Sequence, residues 1–294
     1  MLSRRDYLGL LGTAAATGLV RPSFAAPLEP TNMFAIPDGT TYLNGARLHP
    51  LSQASLKAIQ SYLLQRTLNP VPDDTYFDDM EGRVKKSFAK LINATVDEVC
   101  FVQSTQVAEN LLVAALGLDL KSDNIVTDAL HYRGSIYFYG EMAKKGFDVR
   151  LVKPNGNGIL LGDLSAAIDS HTKIVSVSLV SYMNGFQHDL KAVCDVAHSK
   201  GALVYADIVQ AAGAVPIDVK ESGVDFCACS GYKWLMGDKG LGFLYVRSDL
   251  LDTRVKRTQF GGDQLKAYED HIFVTDPPLG APAFTDLART IAEA

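Results

Sequence analysis

Apolar, β-branched runs alternate along the chain with longer stretches of helical spacing. The runs Val99–Val102, Asn124–Thr127, Val149–Val152, Ile174–Leu179, Leu203–Ala206, Asp225–Ser230 and Gly242–Val246 read as short strands. Helical stretches are predicted over Ser52–Gln65, Asp78–Leu91, Ala108–Leu116, Ser135–Lys145, Leu164–Ile168 and Leu190–Lys200, the last closed by Gly201 as a stop signal. Short, wholly apolar strands between helices predict an α/β fold. Its core is a mostly parallel, seven-stranded sheet covered by helices on both faces. Sheets of this kind bind ligands at the carboxyl ends of their strands, so polar residues there are the first candidates for chemistry. The pattern lapses after Val246, and Pro277, Pro278 and Pro282 break the chain near its end.

The first residues follow a different logic. Ser3-Arg4-Arg5-Asp6-Tyr7-Leu8 leads into a moderately apolar stretch ending at Val20, and Ser23 and Ala25 supply a small-x-small cleavage pattern. The stretch is too short to span a bilayer, and its order resembles a twin-arginine export signal, which is a receptor-read address rather than an anchor. The chain therefore divides into a signal peptide (1–25), an N-terminal segment (26–50), a ligand-binding domain (51–250) and a partial C-terminal segment (251–294). A periplasmic or extracellular location is expected.

Composition narrows the function classes. The chain has 294 residues, 47% of them hydrophobic and 21% charged, which is ordinary for a globular protein and excludes a disordered chain. The net charge of -5, with no basic cluster, argues against nucleic-acid binding. No later apolar run reaches the roughly 18 residues of a membrane span, so membrane integration is not expected. Four cysteines are too few for a disulfide scaffold. Cys227 and Cys229, two apart in one strand, face the same side and rarely bridge at that spacing. Buried free thiols are expected for all four.

Four strand ends carry candidate chemistry. Phe101-Val102-Gln103-Ser104-Thr105 runs from a strand through a hydroxyl turn into a helix. Ser104 and Thr105 fit either a plain N-cap or a phosphate site built with the helix N–H groups. His131 follows the second strand and is either a structural imidazole or one that stacks on an aromatic ligand. Asp207 ends the run Leu203–Ala206, with Gln210 three residues on. A carboxylate there is a helix cap or the partner of a buried cation such as a protonated ring nitrogen. Finally, Ser230-Gly231-Tyr232-Lys233-Trp234 places a lysine directly after a strand, flanked by apolar residues. Such a lysine is either a surface residue in a turn or one held among apolar groups, whose lowered pKa makes it a nucleophile toward carbonyls.

In this order these elements resemble the class V aminotransferase family of pyridoxal-phosphate enzymes, which includes cysteine desulfurases, selenocysteine lyases and isopenicillin N epimerase-like proteins. The resemblance runs from about Tyr42-Leu43-Asn44 to about Val246 and implies the large domain of the fold-type-I enzymes. It implies that Lys233 forms the Schiff base with pyridoxal phosphate and shuttles the substrate α-proton. It also implies that Asp207 pairs with the pyridinium nitrogen, that Gln210 bonds the ring hydroxyl and that His131 stacks on the ring. Ser104, Thr105 and Ser230 would hold the phosphate, as would Tyr232 where relatives often carry a histidine. An amino-acid substrate and a homodimer are implied with them.

Departures shape the rest. Ser181-Tyr182-Met183-Asn184-Gly185 stands where many members carry Ser-Asn-x-x-Gly. No cysteine follows Cys229, which disfavours desulfurase chemistry. The C-terminal small domain reads as truncated or absent, and Arg289 as a surface residue. The leading expectation is transamination, epimerisation or lyase chemistry on an amino acid. The alternative is a shortened chain, catalytically impaired, that binds the cofactor weakly or only scaffolds. A nicotinamide enzyme would need a Gly-x-Gly-x-x-Gly after the first strand, which the chain lacks.

Overall fold

A computed structural model describes residues 33–68, 74–251 and 253–258. The signal segment, residues 26–32 and Arg289 lie outside the described residues. So does most of the segment 251–294.

Seven strands form one sheet: β1 (Val99–Val102), β2 (Asn124–Asp128), β3 (Asp148–Val152), β4 (Thr172–Ser178), β5 (Leu203–Asp207), β6 (Phe226–Ser230) and β7 (Gly242–Val246). Their spatial order is β1-β7-β6-β5-β4-β2-β3. Every pairing among β2 to β6 is parallel, and β7 runs antiparallel to both β1 and β6. The exception has a simple cause. The other connections carry a helix that returns the chain to the starting edge, whereas β6 and β7 are joined by the loop 231–241 without one.

Alternation along the strands builds two cores. Val126, Val175, Val204 and Cys227 face α2 (Asp74–Leu91), α5 (Leu161–Ala167) and α6 (Leu190–Ser199). Ile125, Ile174, Leu203 and Phe226 face α3 (Thr105–Leu116) and α4 (Arg133–Lys144). Strands β2, β5, β6 and β7 are buried at every position, which is why they read as unbroken apolar runs. The outer strand β3 is only partly buried and carries Arg150, paired to Asp148 and Asp169. Such charges protect an open edge. The remaining helices are α1 (Gln53–Leu68), in which no residue is buried, and the short α7 (Val219–Ser222). All four cysteines are free and buried.

From β2 the chain moves outward to β3, then returns past β2 to β4 and continues to β5 and β6. The direction of winding reverses between β2 and β4. A crevice opens at the carboxyl ends of the strands at such a point.

Candidate active site

The first wall of that crevice is a corner of hydroxyls. Ser104 caps α3, its Oγ accepting from Val107 N at 3.3 Å. Thr105, the first helical residue, donates its N–H to Ser230 Oγ at 3.0 Å, and the two hydroxyls lie 2.8 Å apart. The turn after β1 is thereby fixed to the end of β6. Three hydroxyls and the free N–H groups of a twelve-residue helix converge, an arrangement suited to a phosphate. Ser104 is both the cap and a wall of the site, so the two readings of that turn are compatible.

Asp207 is the last residue of β5 and is almost fully buried, with Val209 N donating to its Oδ1 at 2.9 Å. Burial pushes its carboxyl above the ordinary range, against the opposing pull of His131 and the Val209 N–H. Lys233 lies three residues beyond β6 and is 9% exposed. Burial lowers its pKa, partly offset by Asp207 and Cys229. Both residues line one cavity of about 220 Å³, together with Ser104, Thr105, Gln106, Tyr132, Ser178, Tyr182, Val209, Gln210, Ser230 and Tyr232. A larger groove of about 410 Å³ lies between α2 and the loop 231–243, but it is apolar apart from Arg83 and Ser87 and holds neither the carboxylate nor the lysine.

Gln210 lines the cavity, yet its amide also has a structural role. Nε2 donates to Ala46 O at 2.9 Å and Oε1 accepts from Trp234 Nε1 at 2.8 Å. His49 N donates to Tyr232 O at 3.1 Å. The segment before α1 is thus strapped to the loop that carries Lys233. Asn184 turns away: its side chain bonds Asn157 O and Phe186 N, and Tyr182 takes the place in the cavity wall.

His131 is placed differently from the stacking role expected of it. Its side chain has no exposure, and it sits one layer behind the wall with Nδ1 2.8 Å from Ser178 Oγ. Nε2 lies 3.0 Å from Ser176 Oγ and 3.3 Å from Glu109 Oε1. A ring enclosed in this way offers no face to a ligand, and the aromatic surface at this corner belongs to Tyr132. Glu109, itself buried, also accepts from Ser135 Oγ at 2.6 Å and Ser176 Oγ at 2.9 Å. Burial raises its carboxyl, but His131 and the two hydroxyls outweigh that and hold it below the usual carboxylate range. Burial also disfavours charge on the imidazole, and Glu109 lifts its pKa in return. The balance is upward, so the imidazole is held above its ordinary pKa, with Nε2 the nitrogen turned toward Glu109. The Tyr132 N–H lies 2.8 Å from Nδ1.

Sequence reasoning overlooked Gln106, Glu109, Tyr132 and Ser178. Glu109 had a readable signal, an acid one position from Ala108 on the buried face of α3. Ser178 was hidden by drawing β4 one residue too long, to Leu179.

The residues present fit pyridoxal phosphate. Asp207 is a buried carboxyl that accepts from the Val209 N–H, and a protonated ring nitrogen would supply a cation for it. The hydroxyl corner suits the phosphate, and Lys233 is an amine held toward its uncharged form. The chain is similar to several known proteins. A probable cysteine desulfurase of Methanothermobacter thermautotrophicus is 31% identical over 195 residues, covering 66% of this chain and 48% of that protein. The kynureninase of Pseudomonas fluorescens is 30% identical over 239 residues, or 77% of this chain and 56% of that protein. The chain spans about half the length of these curated relatives. Among solved structures, the cystine C–S lyase C-DES with cysteine persulfide superposes with a TM-score of 0.73 at 19% identity, covering 87% of this chain and 72% of that one. An apo cysteine desulfurase from Thermococcus onnurineus gives 0.68 at 24%, covering 85% and 66%. At those identities the likeness is one of fold. The aminotransferase class-V pattern matches residues 51–283, and the chain belongs to that family of pyridoxal-phosphate enzymes.

Proposed function

We propose that the protein is a pyridoxal-phosphate enzyme acting on an amino acid, with Lys233 as the residue that engages the cofactor's aldehyde. The observation that carries this reading is one cavity that joins a buried lysine, a buried aspartate and a hydroxyl corner at a helix N-terminus. When bound, pyridoxal phosphate supplies an electron sink for the charge left when a substrate loses its α-proton. Asp207 keeps the pyridine nitrogen protonated, which is what makes the sink effective. Ser104, Thr105 and Ser230 orient the phosphate. Lys233 would hold and return the α-proton, a task that its lowered pKa favours. Tyr182, 42% exposed, lines the same cavity and is open to solvent.

The family supports transamination, epimerisation or lyase chemistry. A persulfide-forming desulfurase needs a reactive thiol. The four cysteines of this chain are all buried, and burial raises each thiol, Cys100 and Cys194 to about 12.

Borohydride reduction of the chain loaded with pyridoxal phosphate tests the reading. An adduct mapped to Lys233 by mass spectrometry, and absent in Lys233→Ala, is expected; an adduct elsewhere, or none, overturns it. If the adduct forms but no amino acid changes the cofactor spectrum, the impaired-scaffold reading takes its place.

Two further parts of the proposal rest on resemblance. Export by the twin-arginine route rests on Arg4 and Arg5, and Arg4→Lys/Arg5→Lys should leave the protein in the cytoplasm on cell fractionation. A homodimer is supported by α1, whose Leu56, Ile59, Leu63 and Leu64 are exposed. Light scattering on the purified protein reads that mass directly.

A further inference from the structure

One side of the cavity is shaped by a residue that does not touch it. Tyr132 is the N-cap of α4, and its ring lines the cavity. Three contacts fix that ring. The Tyr132 N–H donates to the enclosed His131 at 2.8 Å, so the backbone is pinned to the Glu109 network. The edge of the Tyr182 ring meets it with centroids 5.6 Å apart at 74°. Gly134, in the first turn of α4, leaves the space in which the ring lies. A Cβ added there would stand 2.7 Å from Tyr132 Cε1, 3.1 Å from Cδ1 and 2.5 Å from Gln106 Oε1. Gln106 has some freedom to move, although Glu109 accepts from its Nε2 at 3.3 Å. The Tyr132 ring has less, because only rotation about χ1 and χ2 can relieve a clash at Cε1, and on its other side lie the cavity and Tyr182. Gly134 has no left-handed backbone angle to explain it. What it contributes is the absence of a side chain.

We propose that Gly134 is a positioning residue for the cofactor's ring: by carrying no side chain it leaves room for Tyr132, which in this chain takes the ring-facing place that the family resemblance gives to a stacking residue. This rests on the pyridoxal-phosphate reading above. His131 then acts through Tyr132 and never meets the ligand. The wall is planar, hydroxylated and half-buried, which suits a flat heteroaromatic ring. The hydroxyl corner and Asp207 account for the phosphate and the ring nitrogen but leave the ring face without a partner.

The test uses the purified full chain and pyridoxal phosphate itself. Trp234, the one tryptophan, adjoins Lys233 and reports binding by its fluorescence. Visible-range circular dichroism of the bound cofactor reports how its ring is held. Tyr132→Ala should weaken binding by about 10-fold or more and diminish the dichroic band, and Tyr132→Phe should restore both. Gly134→Ala should reproduce much of the loss by displacing the ring. Alanine is the better helix former at this site, so its far-ultraviolet spectrum and melting temperature should not fall. The double variant Gly134→Ala/Tyr132→Ala should be no worse than Tyr132→Ala, since the clash has lost its target. Wild-type binding and an unchanged band in both Gly134→Ala and Tyr132→Ala would overturn the proposal while leaving the cofactor reading intact. So would a double variant that loses the product of the two single effects. A wild-type chain that captures no cofactor would instead overturn the reading beneath it.

Discussion

Burial drives Lys233 and Asp207 toward their uncharged forms, and each shift has a measurable consequence. Because the Lys233 pKa is lowered, its free amine appears at lower pH than that of an ordinary lysine. The rate at which the apoprotein captures pyridoxal phosphate should rise with pH through an inflection below the ordinary value of about 10.4. Stopped-flow absorbance measures it, and an inflection at the ordinary value contradicts the burial argument. Asp207→Asn should still form the Lys233 adduct but slow exchange of the substrate α-proton by about 100-fold or more, read by NMR in deuterated water. Glu109 behaves in the opposite way, held in its charged form by its partners despite burial. Glu109→Ala leaves the polar groups around it unpaired and should cost about 3–5 kcal/mol in urea unfolding. The sign of its pH dependence follows from its lowered pKa. Its contribution is present above the unfolded carboxylate value and is lost as pH falls through the lower folded one. Glu109→Gln removes that acid-sensitive part from the unfolding profile.

At the scale of elements, the site is a junction of turns. The turn after β1 is tied to β6 by Thr105 and Ser230, and the turn after β5 packs on the loop after β6. Gly213 makes the second contact possible. It has φ +88°, and a Cβ there would lie 2.8 Å from the Trp234 carbonyl oxygen. Backbone on backbone cannot yield as a side chain can. Gly213→Ala should therefore destabilise the fold by about 1–3 kcal/mol and weaken cofactor capture as well, since Trp234 follows Lys233 directly. Calorimetry and fluorescence titration check the two effects together. Element positions were legible in the chain because their causes are local. The strands β2, β5, β6 and β7 are buried on both faces and read as apolar runs, and α6 begins at Leu190 as its spacing predicts and ends at Ser199, just before Gly201. The short α7, held by Asp218 capping Lys220 N and Glu221 N, was not legible, since four residues show no period.

For the whole molecule, the two uncharged-leaning residues make the apoprotein carry a cost that the cofactor removes. The Asp207 pKa is raised, so this carboxyl favours the folded state when protonated, and that advantage is lost as pH rises through its folded pKa. A bound cation on the ring restores it. Pyridoxal phosphate should therefore raise the melting temperature at neutral pH, and the gain should narrow as pH falls through the Asp207 transition. A gain independent of pH contradicts this coupling. Binding confined to the folded state at 100 times its dissociation constant adds about 2.7 kcal/mol on mass action alone.

The division between chain and fold follows the range of the forces involved. Alternating apolar runs, the polar residues that close them and the lysine after β6 are properties of neighbouring residues. The α/β sheet and the set Ser104, Thr105, Asp207, Ser230 and Lys233 could therefore be read in order along the chain. Which side chain faces the cavity at each turn is set by residues far away. His131 is enclosed because Glu109, 22 positions before it, and Ser176 and Ser178, 45 and 47 after it, close around the ring. Its neighbour Tyr132 faces inward because Gly134 leaves it room. Adjacent residues leave a turn in different directions, and no local period records which of them the packing of α3 and β4 will cover.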